Sequence, residues 1–277
     1  MSERAWFPEE LWGRASAARR RLLMLDYDGT LAPFRVDRLG AFPVPGVLDL
    51  LARISSSRRT RLAILSGRPV AELTELLCRL PITLVGEHGW EVLHPDGTSR
   101  AWTLPDECAV WLARAGRAVA EQGLGDRMET KRSSLMLHTR ALPLSEAGQM
   151  EELCARLWEE ATLHAPLRVC RVNGGVELRT VGRDKGTAVR ELLAGEPEGT
   201  LPVYAGDDAT DEDAFAAVKE IGFGLLVSGQ VRPTLAGGRL PSISSMREFL
   251  GGWLAHVEGE RGDSEEPAPG APTMRPA

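Results

Sequence analysis

An apolar run, Leu22-Leu-Met-Leu, ends in Asp26-Tyr-Asp28-Gly29-Thr30. Carboxylates at i and i+2 of an extended chain point to the same side, and Gly29 permits a sharp turn behind them. Two such carboxylates repel, so near neutral pH they favour a hard divalent cation such as Mg²⁺. A second apolar run delivers Ser66-Gly67-Arg68-Pro69, where Ser66 and the first amides of a following helix can hold an anion. A third segment, Arg183-Asp184-Lys185-Gly186-Thr187, opens a helix with a lysine where the helix dipole disfavours a cation. The fourth, Gly206-Asp207-Asp208-Ala-Thr-Asp211-Glu212, gathers acids at a strand end. There Asp211 and Glu212 suit a helix N-terminus, while Asp207 and Asp208 precede it and need a cation.

Each segment has an ordinary explanation by itself: an Asp-Gly turn, a serine cap, a surface lysine, a capped helix. Together they supply Asp/Asp, Ser, Lys and Asp/Asp in order at strand ends or helix starts. That inventory suits phosphoryl transfer to a carboxylate. Asp26 is the expected nucleophile and Asp28 the expected proton donor and acceptor. Ser66 and Lys185 are expected to hold phosphoryl oxygens. Asp26, Asp28 (through its carbonyl) and Asp207, with Asp208 beside them, are the candidate metal ligands.

Positioning these groups takes strands that end side by side. Short apolar runs at 22–25, 62–65, 83–85, 201–205 and 224–227 read as buried parallel strands. Helical periodicity at 47–53, 69–80, 187–193 and 211–219 lies between several of them, and this alternation predicts a doubly wound α/β sheet. The middle differs: a helix at 105–122, strands at 128–130 and 134–139, a helix at 145–163 capped by Ser145, and a hairpin at 167–172 and 176–180 around Asn173-Gly174-Gly175. The expected organisation is a core of residues 1–104 and 181–257, an inserted α+β module at 105–180, and a disordered tail at 258–277 rich in acids, prolines and glycines.

The chain has 277 residues, 43% of them hydrophobic, which is globular composition and excludes a wholly disordered, collagenous or coiled-coil protein. Its net charge of −6 gives no electrostatic reason for nucleic acid or an anionic membrane as partner. The four cysteines, Cys78, Cys108, Cys154 and Cys170, form no CxxC pair and read as free thiols in a reducing compartment. No stretch approaches the ~18 apolar residues of a membrane span, and a cytoplasmic location is expected by elimination.

The four segments resemble the motifs of the haloacid-dehalogenase superfamily of phosphatases. Within it, Asp26-Tyr-Asp-Gly-Thr-Leu-Ala-Pro33, Ser66-Gly-Arg68, Gly86-Glu-His88-Gly and Gly206-Asp-Asp-Ala-Thr-Asp-Glu-Asp-Ala-Phe215 are similar to those of the trehalose-6-phosphate phosphatases. The resemblance spans roughly residues 21–250. It implies a Rossmann-like core with a mobile cap and an Mg²⁺-dependent aspartyl-phosphate route; a small sugar phosphate is the expected partner, and a monomer is expected. It also implies that the cap reads sugar hydroxyls through Glu129-Thr-Lys131 and Glu177, carboxylates accepting and Lys131 donating. The bland alternative is an exposed Glu129–Lys131 pair with Glu177 on a solvated face.

Arg68 and His88 are further substrate-contact candidates, and His138 and Arg140 match a His-x-Arg of the family. Trp102, Trp111 and Trp158 are expected to fill the cap's core. Thr180 stands where the family usually has Pro, and Thr139 where an aromatic is usual, which leaves another phosphorylated disaccharide, pseudo-disaccharide or glycosyl-glycerate open as substrate. The reading of a different class is a non-catalytic sugar-phosphate sensor, against which stands the presence of both Asp26 and Asp28.

Overall fold

The run Arg21–Leu25 has no solvent-facing side because both faces of its sheet are covered. Leu23 and Leu25 pack into one apolar cluster and Leu22 and Met24 into another. The computed structural model describes residue 7 and residues 10–259. Its elements run α1 (Glu10–Ala17), β1 (Arg21–Leu25), α2 (Val47–Ser55), β2 (Thr60–Leu65), α3 (Val70–Leu76), β3 (Thr83–Gly86), β4 (Glu91–Leu93) and β5 (Ser99–Ala101). Then follow α4 (Asp106–Glu121), β6 (Met128–Thr130), β7 (Ser134–His138), α5 (Leu144–His164), β8 (Leu167–Val172) and β9 (Gly175–Thr180). The chain closes with α6 (Lys185–Ala194), β10 (Leu201–Gly206), α7 (Glu212–Val218), β11 (Phe223–Val227), β12 (Gly238–Leu240) and α8 (Ile243–Gly259).

The larger sheet has the order β12-β11-β10-β1-β2-β3-β4-β5. It is parallel from β12 to β3, and β4 and β5 continue it antiparallel. Helices α1, α2, α3 and α8 cover one face, where Leu51, Leu73 and Trp253 are buried; α6 and α7 cover the other, through Val189 and Phe215. The chain order changes direction at β1, which lies between β10 and β2, and ligands of open α/β sheets bind beyond the carboxyl ends of strands at such a point.

Between β5 and α6 the chain builds a second sheet, β6-β7-β9-β8, antiparallel throughout. Helices α4 and α5 pack on it around Cys108, Leu112, Trp158 and Leu178. Trp111 lies against this cluster, as expected, but Trp102 packs against the larger sheet, with the Arg183 guanidinium 3.6 Å from its ring centroid. Ser145 does not cap α5: Pro143 holds that position, so the helix begins before the serine. Helix α1, the short strands β4, β5 and β12, and helix α8 had no sequence-based assignment. The tail expected to be disordered from Glu258 lies outside the described residues, except for its first two, which close α8.

Candidate active site

Strands β10, β1 and β2 pair in parallel, with Leu25 opposite both Ala205 and Ile64, so their carboxyl ends lie side by side. The next residues along the chain are therefore brought together: Asp26 after β1, Asp207 after β10 and Ser66 after β2. Carboxylate oxygens of Asp26, Asp207 and Asp211 all lie within 4.8 Å of one another. Gly29, at φ +81, leaves the room that Asp207 occupies, since a Cβ there would sit 2.1 Å from its Oδ2.

Lys185 reaches this cluster from the first residue of α6. Asp184 caps the helix by accepting from the Thr187 amide. The Lys185 ammonium, with the residue only 3% exposed, donates to Asp26 Oδ1 at 2.6 Å and to Asp211 Oδ1 at 2.7 Å. Burial opposes its charge, but Asp211 and Asp26 outweigh that and hold its pKa above the ordinary lysine value. One ammonium cannot neutralise three carboxylates. Burial and then the Asp211 charge, against the pull of Lys185, raise Asp26 to about 7, and burial with the Asp26 and Asp211 charges raises Asp207 to about 9.

The chemistry of the donor set fits a hard cation, since every group is a carboxylate oxygen. Asp211 is already engaged at both oxygens: Oδ1 accepts from Lys185 and from the Tyr204 hydroxyl, and Oδ2 from the Asp208 amide. Asp207 is the opposite case, because its buried Oδ1 has no hydrogen-bond partner. Asp208, expected as a ligand, does not join the group. Its carboxylate accepts from the Ala209 amide and caps the short turn at 209–211. Asp211, read from the sequence as a capping residue, holds Lys185 as well as taking part in that cap.

Asp28 is held away from this cluster. Arg68 Nε donates to its Oδ2 at 2.6 Å and Nη2 to its Oδ1 at 2.7 Å, a two-point pair. Ser66 accepts from the Arg68 amide at 3.2 Å.

The second sheet brings its own charged group. Glu177, on β9 and 2% exposed, accepts from Lys131 at 3.2 Å and from Ser134 at 2.7 Å, and His88 Nε2 stands 3.4 Å from its other oxygen. Burial works against its charge, yet Lys131 and His88 hold the carboxyl well below the ordinary glutamate value. Glu129, on β6, pairs with His138 at 2.8 Å and with Arg38 from the loop after β1. Burial and the neighbouring Arg38 push His138 down to about 4. Arg140 donates to the Asn173 carbonyl at 2.9 Å and lies over the Phe34 ring. Thr139 donates to Glu151 and Thr180 to the Ser133 carbonyl, so both departures from the family pattern are anchored by hydrogen bonds within the second sheet's module.

Every site residue expected from the sequence lines one cavity of about 550 Å³ between the two sheets: Asp26, Asp28, Ser66, Arg68, His88, Glu129, Lys131, Arg140, Glu177, Lys185, Asp207 and Asp208. Sequence reasoning missed Arg38 and Glu87. Glu87 is buried at φ +47 and accepts from the amides of Arg132 and Ser133 and from the Ser133 hydroxyl, tying the second sheet to the first. Its place in the Gly86-Glu-His-Gly motif was the available sign. Arg38, in an irregular loop, had none.

The trehalose-phosphatase family model matches residues 24–238. The chain is 36% identical over 214 residues to a trehalose-phosphate phosphatase of Mycolicibacterium paratuberculosis, covering 73% of this chain and 52% of that protein. It is 33% identical over 238 residues to a bifunctional trehalose-6-phosphate synthase/phosphatase of Thermoproteus tenax, covering 84% of this chain and 32% of that protein. The chain thus spans about half or less of the length of these curated relatives. Among solved structures, the C-terminal domain of C. albicans trehalose-6-phosphate phosphatase shares the fold, with a TM-score of 0.80 at 22% identity, covering 88% of this chain and 95% of that one.

Proposed function

This chain belongs to the trehalose-phosphatase family, and we propose that it hydrolyses trehalose-6-phosphate to trehalose and inorganic phosphate through a phosphorylated Asp26. One observation carries the reading. A buried Asp26–Lys185 pair and the charged group Glu129, Lys131 and Glu177 face the same cavity from opposite sheets, one suited to a phosphate and the other to sugar hydroxyls.

Asp26 attacks phosphorus, an aspartyl Oδ–P bond forms, and the bond from phosphorus to the sugar oxygen breaks. Lys185 and Ser66 hold the phosphoryl oxygens, and Arg68 stands beside them. Asp28 gives its proton to the departing sugar oxygen, then takes one from the water that cleaves the aspartyl phosphate. For that work Asp28 must leave the two-point pair with Arg68, which occupies both of its oxygens. Asp26 and Asp207, with the Asp28 carbonyl, are the residues that would hold Mg²⁺. Bound there, the ion would supply positive charge that reduces the repulsion between Asp26 and an anionic ester. The orphaned Asp207 oxygen supports this assignment. Glu129, Glu177 and Lys131 take the sugar hydroxyls, with His88 and Arg140 lining the same cavity.

The four cysteines are free, which suits a reducing compartment such as the cytoplasm. Among the described residues no helix is long and apolar enough to cross a membrane. The test is a panel of sugar phosphates assayed with Mg²⁺ for released phosphate. Trehalose-6-phosphate is expected to be turned over at least about tenfold faster, in kcat/KM, than glucose-6-phosphate or other phosphorylated disaccharides. Release from those esters without release from trehalose-6-phosphate overturns the substrate assignment.

A further inference from the structure

Glu87, His88 and Gly89 follow β3 with φ of +47, +56 and +107. Only the last is a glycine, so two side chains are held where an L-residue is strained, as happens where the surroundings fix a functional geometry. The backbone of this segment is bonded to the phosphate side. The Glu87 amide donates to the Arg68 carbonyl and the His88 amide to the Ser66 carbonyl, both at 2.9 Å. The Glu87 carboxylate is bonded to the other side. With the residue only 4% exposed, it accepts from the Arg132 amide at 3.2 Å, from the Ser133 amide at 2.7 Å and from the Ser133 hydroxyl. Arg132 Nη2 adds a bond to the Trp90 carbonyl at 2.9 Å.

The residues on either side of that gripped pair are the ones that hold Glu177. Lys131 precedes Arg132 and donates to Glu177 Oε1 at 3.2 Å; Ser134 follows Ser133 and donates to the same oxygen at 2.7 Å. The Ser133 carbonyl accepts from the Thr180 amide at 3.0 Å and from its hydroxyl at 2.9 Å, which ties the turn to β9, the strand that carries Glu177. His88, next to Glu87 in the chain, stands 3.4 Å from the other Glu177 oxygen. One short segment is thus bonded to the loop of Ser66 and Arg68 on one side and to residues 131–134 on the other. Glu87 itself does not line the cavity.

We propose that Glu87 is a positioning residue that determines specificity by fixing the span between the phosphate-holding loop and the sugar-reading group of Lys131 and Glu177. This rests on the phosphatase reading above and deepens it, adding a residue that touches neither phosphate nor sugar. An ester held at both ends needs that span; a short ester held only at its phosphate does not. The carboxylate is specific to the task because it offers two acceptor oxygens to two backbone amides. A glutamine offers one, and its NH₂ group then faces a backbone N–H, donor against donor.

The experiment is a double-mutant cycle read as preference, the ratio of kcat/KM on trehalose-6-phosphate to kcat/KM on glycerol phosphate, an alkyl ester without a sugar. Glu87→Gln is expected to raise KM for trehalose-6-phosphate about tenfold with kcat changed less, and to lower the preference about tenfold. A residue that acts through Glu177 loses its effect once Glu177 is altered. In a Glu177→Gln background, Glu87→Gln should therefore change the preference by less than about threefold. Ser133→Ala removes one of the three donors and should lower the preference in the same direction by about threefold; if Glu87→Gln fails to fold, the cycle is run with this variant. An unchanged preference, an equal loss on both esters, or the same loss of preference in both backgrounds overturns the proposal. Wild-type turnover of glycerol phosphate without turnover of trehalose-6-phosphate overturns the sugar assignment alone, and hydrogen exchange then decides the positioning. The Lys131 and Thr180 amides donate to the Ser134 and Ser133 carbonyls of the gripped turn. In Glu87→Gln they should exchange at least about fivefold faster, with β8 unchanged; unchanged exchange at both amides, or equal acceleration in β8, overturns it.

Discussion

The ammonium of Lys185 lies 2.6 Å from Oδ1 of Asp26, and both groups are almost entirely buried. A buried pair of this kind matters most when one partner is taken away, because the other charge is left without water or a counterion. Lys185→Met keeps the chain length and removes the charge that Asp26 and Asp211 share. It should destabilise the protein by about 3–5 kcal/mol at neutral pH, read from the urea midpoint. Loss of less than about 1 kcal/mol would mean that the two carboxylates find other compensation. Phosphate release should fall by at least about a hundredfold, since the same ammonium is assigned to the phosphoryl oxygens.

Asp26→Asn separates binding from chemistry. The amide occupies the same volume and still accepts from Lys185, so the cavity keeps its shape while the nucleophile is lost. Turnover of trehalose-6-phosphate should drop at least about a thousandfold. Titration calorimetry should still detect binding of the ester, with affinity within about tenfold of wild type. Substantial residual turnover would remove Asp26 as the nucleophile.

Asp207 carries a cost that a cation relieves. Its buried Oδ1 lacks a partner, and in the metal-free chain burial with the Asp26 and Asp211 charges raises it to about 9, while Asp26 is raised to about 7. Both values lie above the ordinary 3.8, so the folded chain keeps protons that the unfolded chain releases. The associated stability is complete below pH 3.8 and is lost as pH climbs through about 7 and then about 9. With chelator present, the melting temperature should therefore fall between pH 5 and pH 9, and Asp207→Asn should melt higher than wild type at pH 8. Added Mg²⁺ should raise the wild-type melting temperature and leave that of Asp207→Asn nearly unmoved. An equal Mg²⁺ response in both proteins would place the ion elsewhere.

Glu177 tests the sugar side. It is buried with Lys131, Ser134 and His88 around it, all set on a carboxylate. Glu177→Gln removes the charge that these groups hold and weakens acceptance from sugar hydroxyls. KM for trehalose-6-phosphate should rise about tenfold to a hundredfold, with kcat changed less. Turnover of glycerol phosphate should be much less affected than that of the sugar ester. An equal loss on both would make Glu177 a structural residue rather than a reader of sugar.

Much of this site was legible because its chemistry is attached to regular elements. Asp26, Ser66 and Asp207 each follow an apolar run, and parallel pairing of β10, β1 and β2 is enough to bring such positions together. The second sheet was legible for the same reason, through alternation in β7 and the Asn173-Gly174-Gly175 turn before β9. What failed had no local pattern. β4, β5 and β12 have three residues each, too few for period two to register alone, and unlike the equally short β6 none of them is followed by a longer alternating strand. Asp208 and Asp211 are indistinguishable as letters; only the hydrogen bonds of Tyr204 and Lys185 to Asp211, and the turn cap of Asp208, sort them. Arg38 matters through contacts with Glu129 on β6 and with Arg68 and Glu72 at the start of α3, segments far from it and from each other along the chain.

His88 provides a stability test with a defined pH window. It sits at φ +56, its Nδ1 is buried without a partner, and its Nε2 faces Glu177. Burial lowers its pKa below the ordinary 6.5, outweighing the opposing pull of Glu177. The folded chain therefore keeps this imidazole neutral where the unfolded chain takes up a proton. Above pH 6.5 the two states agree; below it the unfolded state binds more protons and stability declines, by at most about 1.4 kcal/mol per pH unit from this one group. Glu177, held well below its ordinary 4.5, adds its own loss only at lower pH, as the solution approaches its folded-state value. His88→Asn suits the positive φ and removes the titrating ring. The melting temperature of His88→Asn relative to wild type should rise from pH 7 to pH 5, whatever trend the two proteins share from Asp26 and Asp207, and the two curves should become steeper together below pH 4.5. Parallel curves from pH 7 to pH 5 would show that this histidine is already charged in the folded chain.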